Sequence, residues 1–379
     1  MKKKKRVLFY LPTIGQGGIE RVIEHIIDQL HDRVDFCVSG QRLEENSILS
    51  RERLGDKAEL FDAPGIDMMA NRYLPKNVYK LKGYVDRFRP DILFSFWHLP
   101  NLVAGLLLSL YPKSKRPRWV LSVHNQSPGF DREKGYKGKF LSSLLVGVAR
   151  CSDTRITVAP RLIPGCEAYY GQKFDLYYNP AVDDRLSDLA KDDPGHPWLT
   201  PDNNTILSIG RLDIMKDFPT LIGAFDIVRK DVPDARLVIL GDGPKRNDLQ
   251  AMIDDRGIAD KVDLVGYVAN PYAYLSRCRM FALTSTHGEA SPMVLAEAMF
   301  FSRPVVCTEF YTAPDYIGDN VNGLLAKCKD TGEVAEKILM VLKDQDGAAG
   351  RAEHAREMVL ERHGVENAAR RYFDLISRL

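Results

Sequence analysis

The stretch T-H-G-E-A-S-P-M-V-L-A-E-A-M-F-F, residues 286–301, decides the fold because it joins a buried strand to a buried helix. The apolar run before it, Met280 to Leu283, predicts the strand. Ser291 suits the N-cap of the helix, and Pro292 suits its first position, where a missing N–H costs nothing. The helix is apolar on nearly every side, with Glu297 as the exception, so we expect it to be buried.

Two glutamates and a helix N-terminus in this stretch predict a ligand site. A buried carboxylate such as that of Glu297 is costly unless hydrogen-bond donors surround it. Glu289 lies in the loop before the helix, and the unpaired N–H groups of residues 291–293 attract anions. A helix N-terminus that can bind phosphate, together with two carboxylates that can accept hydrogen bonds from hydroxyls, suits a sugar nucleotide. The alternative interpretation is a capped core helix in which Glu297 pairs with an arginine or a lysine.

Length and composition predict a globular cytosolic protein with two domains. The chain has 379 residues, of which 45% are hydrophobic and 27% are charged. Its six cysteines are scattered without a C-x-x-C pair, so we expect reduced thiols and neither a disulfide framework nor a zinc site. The longest apolar stretches are too short to span a bilayer, and the N-terminus reads as a first strand rather than an export signal.

Charge is distributed unevenly between the two halves. Residues 1–180 carry 29 Lys and Arg against 19 Asp and Glu, whereas the remainder carries 24 against 32. A basic half joined to an acidic half suggests that the first half faces an anionic partner. Nucleic acid and anionic lipid both fit this description.

Strands and helices alternate along the whole chain, which predicts parallel sheets covered by helices on both faces. A polar stretch rich in Asp and Pro, residues 179–204, interrupts the alternation. We therefore expect two α/β domains of similar size, residues 1–180 and residues 181–365.

Two loops carry candidate phosphate-binding groups. In the first domain, Gly15-Gln-Gly-Gly18 lies between a strand and a helix, where backbone N–H groups can approach a phosphate; a tight turn explains it equally well. In the second, Arg211 and Lys216 follow the strand Thr205 to Ile209. Strand ends of this kind bind ligands in α/β proteins, which favours phosphate contacts over two surface cations.

Three further motifs follow predicted strands. His124, at the carboxyl end of the strand from Trp119 to Val123, is placed to donate a hydrogen bond to a sugar hydroxyl or a phosphate oxygen; the alternative is a histidine that caps the strand. His98 occupies a similar position. Residues 241–244, Gly-Asp-Gly-Pro, form a turn that is expected to pass close to another group; the alternative is an ordinary turn. The D-x-D at 344–346 follows a helix and not a strand, so we expect no metal site there.

Five motifs taken together resemble the retaining glycosyltransferases of family 4, which have the GT-B fold. They are GGIERV (17–22), SVHN (122–125), GRLDIMK (210–216), LGDGP (240–244) and EASPMVLAE (289–297). The resemblance runs in order over nearly the whole chain. It implies two Rossmann-like domains that face a cleft, with a nucleotide sugar held mainly by the C-terminal domain. It also implies that residues 366–379 form a helix that crosses back to the first domain.

The resemblance assigns roles residue by residue. Arg211 and Lys216 would hold the diphosphate, Glu297 the ribose hydroxyls and Glu289 the donor sugar, with His124 beside that sugar. Glu289, His124, Arg211 and Lys216 are thus the implied catalytic residues. The other implied donor contacts are at the phosphate, at the base and at the helix N-terminus: Gly17, Gly18, Tyr267, Val268, Ala290, Ser291, Pro292 and Met293.

The mechanism of the family is front-face attack, in which the departing diphosphate takes the proton of the acceptor hydroxyl. The protein then contributes mainly electrostatic stabilisation of that diphosphate, and neither a metal nor another cofactor is implied. This chain departs from the family pattern at Ala290 and Ser302, each in place of a common glycine. It also has Tyr311-Thr312 in place of a glycine pair and Asp315 in place of a glutamate. These changes leave the donor sugar undefined. UDP is suggested only by its frequency among the donors of the family.

The acceptor is expected on the first domain. Basic residues there precede an apolar pattern at 140, 141, 144, 145 and 148: Arg132, Lys134, Lys137 and Lys139. Together with the basic residues 2–6, this pattern suggests a cytoplasmic protein that docks on the inner face of an anionic membrane. We hypothesise a glycan or lipid-linked acceptor. The alternative is an ordinary packed helix with a solvated basic end.

Two rival functions remain open at this point. A sugar-nucleotide 2-epimerase of the same fold would release an isomeric nucleotide sugar rather than a nucleoside diphosphate. A nucleic-acid-binding protein would use the basic half, but its basic stretches lack interleaved aromatic residues and any known nucleic-acid motif, so we expect no nucleic-acid partner.

Overall fold

The computed structural model describes residues 3–11, 13–15, 17–40, 47–61, 74–125, 135–201 and 203–379. The chain divides into two compact units. The first comprises Met1–Ala181 with Val365–Leu379, and the second comprises Val182–Gly364. The domain boundaries expected from the sequence, 180/181 and 365/366, each lie one residue from these divisions.

Within its described residues, the first unit contains a parallel sheet of seven strands in the order β3-β2-β1-β4-β5-β6-β7. Four of the strands are short apolar runs that are buried along nearly their whole length, which is the pattern expected for a parallel sheet. The strands are β1 (Lys5–Leu11), β2 (Val34–Gly40), β3 (Ala58–Phe61), β4 (Ile92–Phe96), β5 (Arg118–Val123), β6 (Thr154–Thr157) and β7 (Asp175–Leu176).

Seven α-helices of the described residues belong to this unit. Helix α1 buries Val22, Ile23, Ile26, Ile27 and Leu30 on one face, at the spacing of an amphipathic helix. The C-terminal helix α14 packs against α1. The helices are α1 (Gly18–Leu30), α2 (Arg51–Leu54), α3 (Leu74–Phe88), α4 (His98–Ser109), α5 (Tyr136–Ala149), α6 (Leu162–Tyr170) and α14 (Val365–Arg378).

The second unit contains a parallel sheet of six strands in the order β10-β9-β8-β11-β12-β13. Its strands are β8 (Thr205–Ile209), β9 (Arg236–Leu240), β10 (Val262–Gly266), β11 (Met280–Leu283), β12 (Val305–Thr308) and β13 (Leu324–Ala326). Its α-helices are α7 (Asp184–Leu189), α8 (Phe218–Asp231), α9 (Arg246–Asp255), α10 (Tyr272–Leu275), α11 (Met293–Phe300), α12 (Thr331–Lys343) and α13 (Gln345–His363).

Each sheet reverses its strand order once. In the first sheet the chain runs outward from β1 to β3 and then resumes on the other side of β1 with β4. In the second it runs outward from β8 to β10 and resumes beside β8 with β11. The loops that follow the strands on either side of such a reversal diverge and leave a crevice, which is where open α/β sheets bind ligands. The strand pairs β1/β4 and β8/β11 therefore mark the two candidate site positions.

The two parallel-sheet α/β units are those predicted from the sequence, but several short elements were missed. Strand β3 lies inside the stretch 41–75, which shows no clear pattern, and β13 and α10 have only three and four residues. Helix α4 begins at His98, four residues before Leu102, where the apolar run from Leu102 to Leu110 predicts its start. Among the helices of the described residues, none has the length and apolar character needed to cross a membrane.

Candidate functional site

The best-defined candidate site lies at the β8/β11 reversal of the second unit, where two loops are bound to each other. The loop after β8 and the loop after β11 share backbone contacts: Thr286 N donates to Met215 O at 2.9 Å. The Thr284 hydroxyl donates to Lys216 O at 3.0 Å and lies 3.1 Å from Asp217 O. These bonds fix the two predicted motifs, GRLDIMK and EASPMVLAE, side by side.

The turn Gly241–Pro244 supports the first loop from behind. Gly210 N donates to Leu240 O and Leu212 N to Asp242 O, both at 3.0 Å. Gly241 has φ 129°, and a Cβ at this position would lie 2.0 Å from Gly210 O. The expectation that this turn passes close to another group is confirmed, since that group is the backbone of the loop after β8.

Replacing Gly241 with alanine should therefore lower the free energy of unfolding by about 2–4 kcal/mol, from a positive φ and a backbone clash together. Gly257→Ala is the matched control, because Gly257 has φ 63° and an added Cβ would meet no atom within 4 Å. Urea unfolding of both variants measures the difference. Equal losses would show that the close approach of the two loops contributes nothing to stability.

The structure brings Lys216 and Glu289 together as an ion pair. Lys216 Nζ donates to Glu289 Oε1, which also accepts from the Ser285 hydroxyl at 2.9 Å. The two charged side chains are only 16% and 15% exposed. The stem of Lys216 passes over Gly210, where an added Cβ would lie 3.0 Å from Cε. Lys216 is thus not the free surface cation of the alternative interpretation.

Arg211 is placed differently from Lys216. Its side chain is 73% exposed, and its Nε lies 3.9 Å from the Asp213 carboxylate. Asp213 is engaged locally, because its Oδ1 accepts from the backbone N–H groups of Met215 and Lys216. The guanidinium of Arg211 therefore remains available to a ligand in solution.

Helix α11 buries Glu297 as predicted, at 2% exposure. The hydroxyl of Tyr272 lies 3.4 Å from Glu297 Oε1. Tyr272 stands on the short helix α10, and sequence reasoning missed it because nothing in the local pattern marks it. A buried carboxylate held by a half-buried hydroxyl is well placed to accept further hydrogen bonds from a ligand.

The predicted N-cap of α11 is wrong by one residue. The helix begins at Met293 with Pro292 at the cap position, and no side chain caps it. Ser291 Oγ lies instead 2.5 Å from the hydroxyl of Tyr316, whose ring stacks on His363 at 4.9 Å. The serine is withdrawn from the helix end because the buried tyrosine offers it a partner. Ala290, Pro292 and Met293 are buried.

Two other parts of the predicted donor site lie at opposite sides of this crevice. Tyr267, 69% exposed, and the half-buried Val268 follow β10 at the edge of the sheet. Gly241 N donates to Gly266 O at 2.7 Å, so the loops after β8, β9 and β10 are joined in a row. On the other side, the buried Thr312 donates from its hydroxyl to Glu289 O at 3.0 Å. This threonine stands where the resemblance implies glycine, and it holds the backbone of Glu289.

In the first unit, the carboxylate of Glu20 contacts the glycine loop. Glu20 Oε1 accepts from Gly15 N at 2.9 Å, and Glu20 is only 8% exposed. A Cβ on Gly17 would lie 2.6 Å from the other carboxylate oxygen of Glu20. Gly17 and Gly18 are both exposed. The acidic group already sits at the positive end of α1, which favours the tight-turn interpretation of this loop.

His124 lies at the carboxyl end of β5 and is 9% exposed. Its Nε2 is 2.7 Å from the Ser122 hydroxyl, and its ring lies 5.4 Å from that of Phe96. Burial lowers the pKa of His124 from 6.5 to about 3, so the imidazole is neutral near neutral pH. A neutral ring acts as a hydrogen-bonding group and not as a cation. His98 begins helix α4 at the end of the neighbouring strand.

The lowered pKa of His124 predicts a pH dependence of stability. In the unfolded chain His124 is protonated below pH 6.5, whereas in the folded state it is protonated only below about pH 3. The free energy of unfolding should therefore fall as the pH falls through this window. The slope approaches about 1.4 kcal/mol per pH unit from this one group. Urea unfolding at pH 7, 5 and 4 should show a shallower dependence for His124→Gln than for the wild type. Parallel profiles would mean that His124 is not buried in its neutral form.

Comparison with known proteins supplies the family. The family model described as Glycosyl transferases group 1 matches residues 196–358. The chain is 32% identical over 347 residues to the N-acetylgalactosamine-N,N'-diacetylbacillosaminyl-diphospho-undecaprenol 4-alpha-N-acetylgalactosaminyltransferase of Campylobacter jejuni, covering 88% of this chain and 89% of that one. It is 27% identical to the N-acetyl-alpha-D-glucosaminyl L-malate synthase of Bacillus anthracis, covering 98% and 96%.

Solved structures show the same fold at lower identity. The Anabaena protein Alr3699/HepE in complex with UDP-glucose superposes with a TM-score of 0.79 at 21% identity, over 99% of this chain and 100% of that one. The sucrose-phosphate synthase of Thermosynechococcus elongatus superposes with a TM-score of 0.78 at 17% identity, over 99% and 98%.

Proposed function

Because the chain belongs to the glycosyl transferases of group 1 and has the GT-B fold, we propose that it is a retaining glycosyltransferase that uses a UDP-sugar. It is a glycosyltransferase of polysaccharide or glycoconjugate synthesis, and its acceptor is proposed to be a glycan or a lipid-linked glycan. The observation that carries the proposal is the Lys216–Glu289 pair at the β8/β11 reversal, together with the buried carboxylate of Glu297 on α11.

The described contacts suggest how the donor is held. The exposed Arg211 and the Lys216 ammonium bind the diphosphate, and Glu297 accepts hydrogen bonds from the ribose hydroxyls beside Tyr272. Glu289 then exchanges its contact with Lys216 for the hydroxyls of the donor sugar. The two cations stabilise the charge that develops on the departing diphosphate, and we propose that no metal is required. Within the described residues, no three His, Cys, Asp or Glu side chains group as metal ligands.

The names of the relatives indicate which nucleotide sugars should be tested first as donors. The name of one full-length relative describes transfer of N-acetylgalactosamine, and that of another contains N-acetyl-glucosaminyl. A solved neighbour holds UDP-glucose. UDP-N-acetylgalactosamine, UDP-N-acetylglucosamine and UDP-glucose are therefore the first candidates, ahead of GDP- and ADP-sugars.

A thermal-shift screen of these nucleotide sugars, followed by product analysis, tests the proposal. A ligand that binds only the native state raises the apparent stability, so the correct donor should raise Tm. Turnover should release UDP. Conversion to an isomeric nucleotide sugar without release of UDP would identify the 2-epimerase instead, and a Tm shift by GDP- or ADP-sugars alone would contradict the assignment of UDP.

Membrane docking is proposed at the start of α5, on part of the surface expected from the sequence. The apolar residues Leu141, Leu145 and Val148 of α5 are buried within the first unit, so they form an ordinary core face. The side chains left in solution are Tyr136, 96% exposed, and Phe140, 65% exposed. They share the start of α5 with the exposed lysines 137 and 139, while Arg132 and Lys134 lie outside the described residues. Contrary to the expectation that the basic stretches lack interleaved aromatic residues, these two rings stand among lysines. Such a surface suits an anionic bilayer.

Co-sedimentation with vesicles containing anionic lipid at low salt tests the docking surface. We expect the wild type to bind and the double variant Tyr136→Ser/Phe140→Ser to bind at least about tenfold more weakly. Leu110→Ser is the matched control, since Leu110 is 76% exposed at the far end of α4. Absence of wild-type binding would refute the membrane proposal, and equal loss in the control would refute the assignment to α5.

A further inference from the structure

Trp97 has a backbone conformation that a tryptophan adopts only under constraint. It has φ 75° and ψ 161°, a region almost restricted to glycine. The residue is nevertheless 39% exposed, so part of its surface remains open to a ligand. Strained residues persist where the surrounding structure determines them, and they concentrate at ligand sites.

Asn101 is the group that holds this turn. It is fully buried, and its backbone N–H donates to Trp97 O at 2.9 Å. Its side chain accepts from the Ser95 hydroxyl at 2.6 Å and donates to Ser122 O at 3.1 Å. The indole N–H of Trp119 donates to Ser95 Oγ at 2.8 Å. Since the Ser122 carbonyl can only accept, the amide NH2 of Asn101 must face it, and Oδ1 is left to accept from the Ser95 hydroxyl.

The position of Trp97 points to a ligand. It follows β4, the strand beside β1 at the reversal of the first sheet, where α/β proteins bind ligands. Phe96 pairs in register with Ser122 on β5, so Trp97 and His124 leave the same edge of the sheet from adjacent strands. A partly exposed tryptophan and a neutral imidazole thus follow adjacent strands at one edge of the first sheet.

We propose that Trp97 is a stacking platform for a pyranose ring of the acceptor saccharide and that Asn101 is its positioning residue. The inference rests on the proposed function, since it requires a saccharide acceptor. A pyranose has one face of C–H groups, which is apolar and flat enough to lie on an indole ring. A turn whose backbone is already fixed loses little conformational freedom when the acceptor binds, which accounts for the strained backbone at Trp97.

Fluorescence and kinetics test the proposal. Wild-type protein is titrated with the methyl glycosides of N-acetylgalactosamine, N-acetylglucosamine, galactose and glucose. At least one should give a saturable change in indole emission that is absent in Trp97→Phe; no response to any of the four overturns the proposal. With the responding glycoside as acceptor, Trp97→Ala should raise the acceptor KM by about tenfold or more, and Trp97→Phe should raise it less.

The controls separate this inference from the proposed function. Hydrolysis of the nucleotide sugar in the absence of acceptor should be unchanged in Trp97→Ala. Tyr79→Ala, which removes an aromatic ring that is 78% exposed on α3, should leave the acceptor KM unchanged. Wild-type protein that neither hydrolyses nor transfers from any nucleotide sugar contradicts the proposed function. Normal hydrolysis with an unchanged acceptor KM in Trp97→Ala contradicts only the role of Trp97.

The backbone strain at Trp97 and the role of Asn101 can each be measured separately. Trp97→Gly should melt at least about 2 °C above Trp97→Ala, because glycine adopts this backbone conformation without strain. Asn101→Ser should raise the acceptor KM in the wild-type background but not in the Trp97→Ala background. An equal rise in both backgrounds would show that Asn101 does not act through Trp97.

Discussion

Replacing Lys216 with methionine should lower kcat for sugar transfer by about two to three orders of magnitude, the cost of removing one group that stabilises developing negative charge. The ammonium is the only part of the side chain that the substitution removes. The methionine retains a stem that can still cover Gly210, so the packing of the loop after β8 is preserved. Steady-state kinetics with the nucleotide sugar identified by thermal shift measures the effect.

The matched control for this variant is Lys245→Met. Lys245 lies at the turn that supports the same loop and is also paired, with Asp248 at 2.7 Å, but it is 49% exposed and outside the crevice. We expect its kcat to stay within about twofold of the wild type. A loss of less than about threefold in Lys216→Met would show that the ammonium does not stabilise the departing diphosphate.

Lys216→Met should reduce stability far less than it reduces turnover. The substitution leaves the Glu289 carboxylate, 15% exposed, with the Ser285 hydroxyl as its remaining side-chain donor in this crevice. A partly buried carboxylate that loses its cation costs about 1–2 kcal/mol, because solvent still reaches it. Urea unfolding of the variant separates this structural cost from the loss of kcat.

The strands around the site were predictable because each is a short apolar run bounded by polar residues or turns. Strands β8, β9 and β11 have the bounds expected from the sequence. The missed elements, β3 and β13, are edge strands of three or four residues, whose patterns are too short to distinguish from loop. Helix α10 was missed for the same reason, and Tyr272 with it. Its significance depends on packing next to α11, which the local sequence does not encode.

The residues of the candidate site were predictable, but their partners were not. Lys216 and Glu289 stand 73 residues apart, and their contact follows from β8 and β11 being neighbours in the sheet. The alternation of strands and helices predicts a parallel sheet without specifying the order of its strands. Local chemistry misled at Ser291, which turns to Tyr316, and left two interpretations open at the glycine loop, where the contact of Glu20 favours the tight turn. At Ser291, a tertiary partner replaced the interaction expected from the motif.

Glu289→Gln should abolish sugar transfer while leaving UDP affinity unchanged or increased by up to about tenfold, a gain that follows from the ion pair. In the protein without donor, Glu289 neutralises Lys216, so the diphosphate must compete with this carboxylate for the ammonium. Glutamine keeps the size of the side chain and its bond with Ser285 but gives up the charge. The ammonium is then free to bind phosphate, whereas the donor sugar loses the charged carboxylate that accepts its hydrogen bonds.

Glu297→Gln is the control, because the two glutamates are assigned opposite effects on UDP. Glu297 is buried beside Tyr272 and is proposed to bind the ribose, so its amide variant should weaken UDP binding. Isothermal titration of UDP into both variants gives the two affinities, and turnover of the nucleotide sugar gives the loss of transfer. If Glu289→Gln weakens UDP as much as Glu297→Gln does, both carboxylates serve the nucleotide. The proposal that the diphosphate displaces the Glu289 carboxylate from Lys216 is then wrong. Retention of near wild-type transfer by Glu289→Gln would instead show that the Glu289 carboxylate has no role in the reaction.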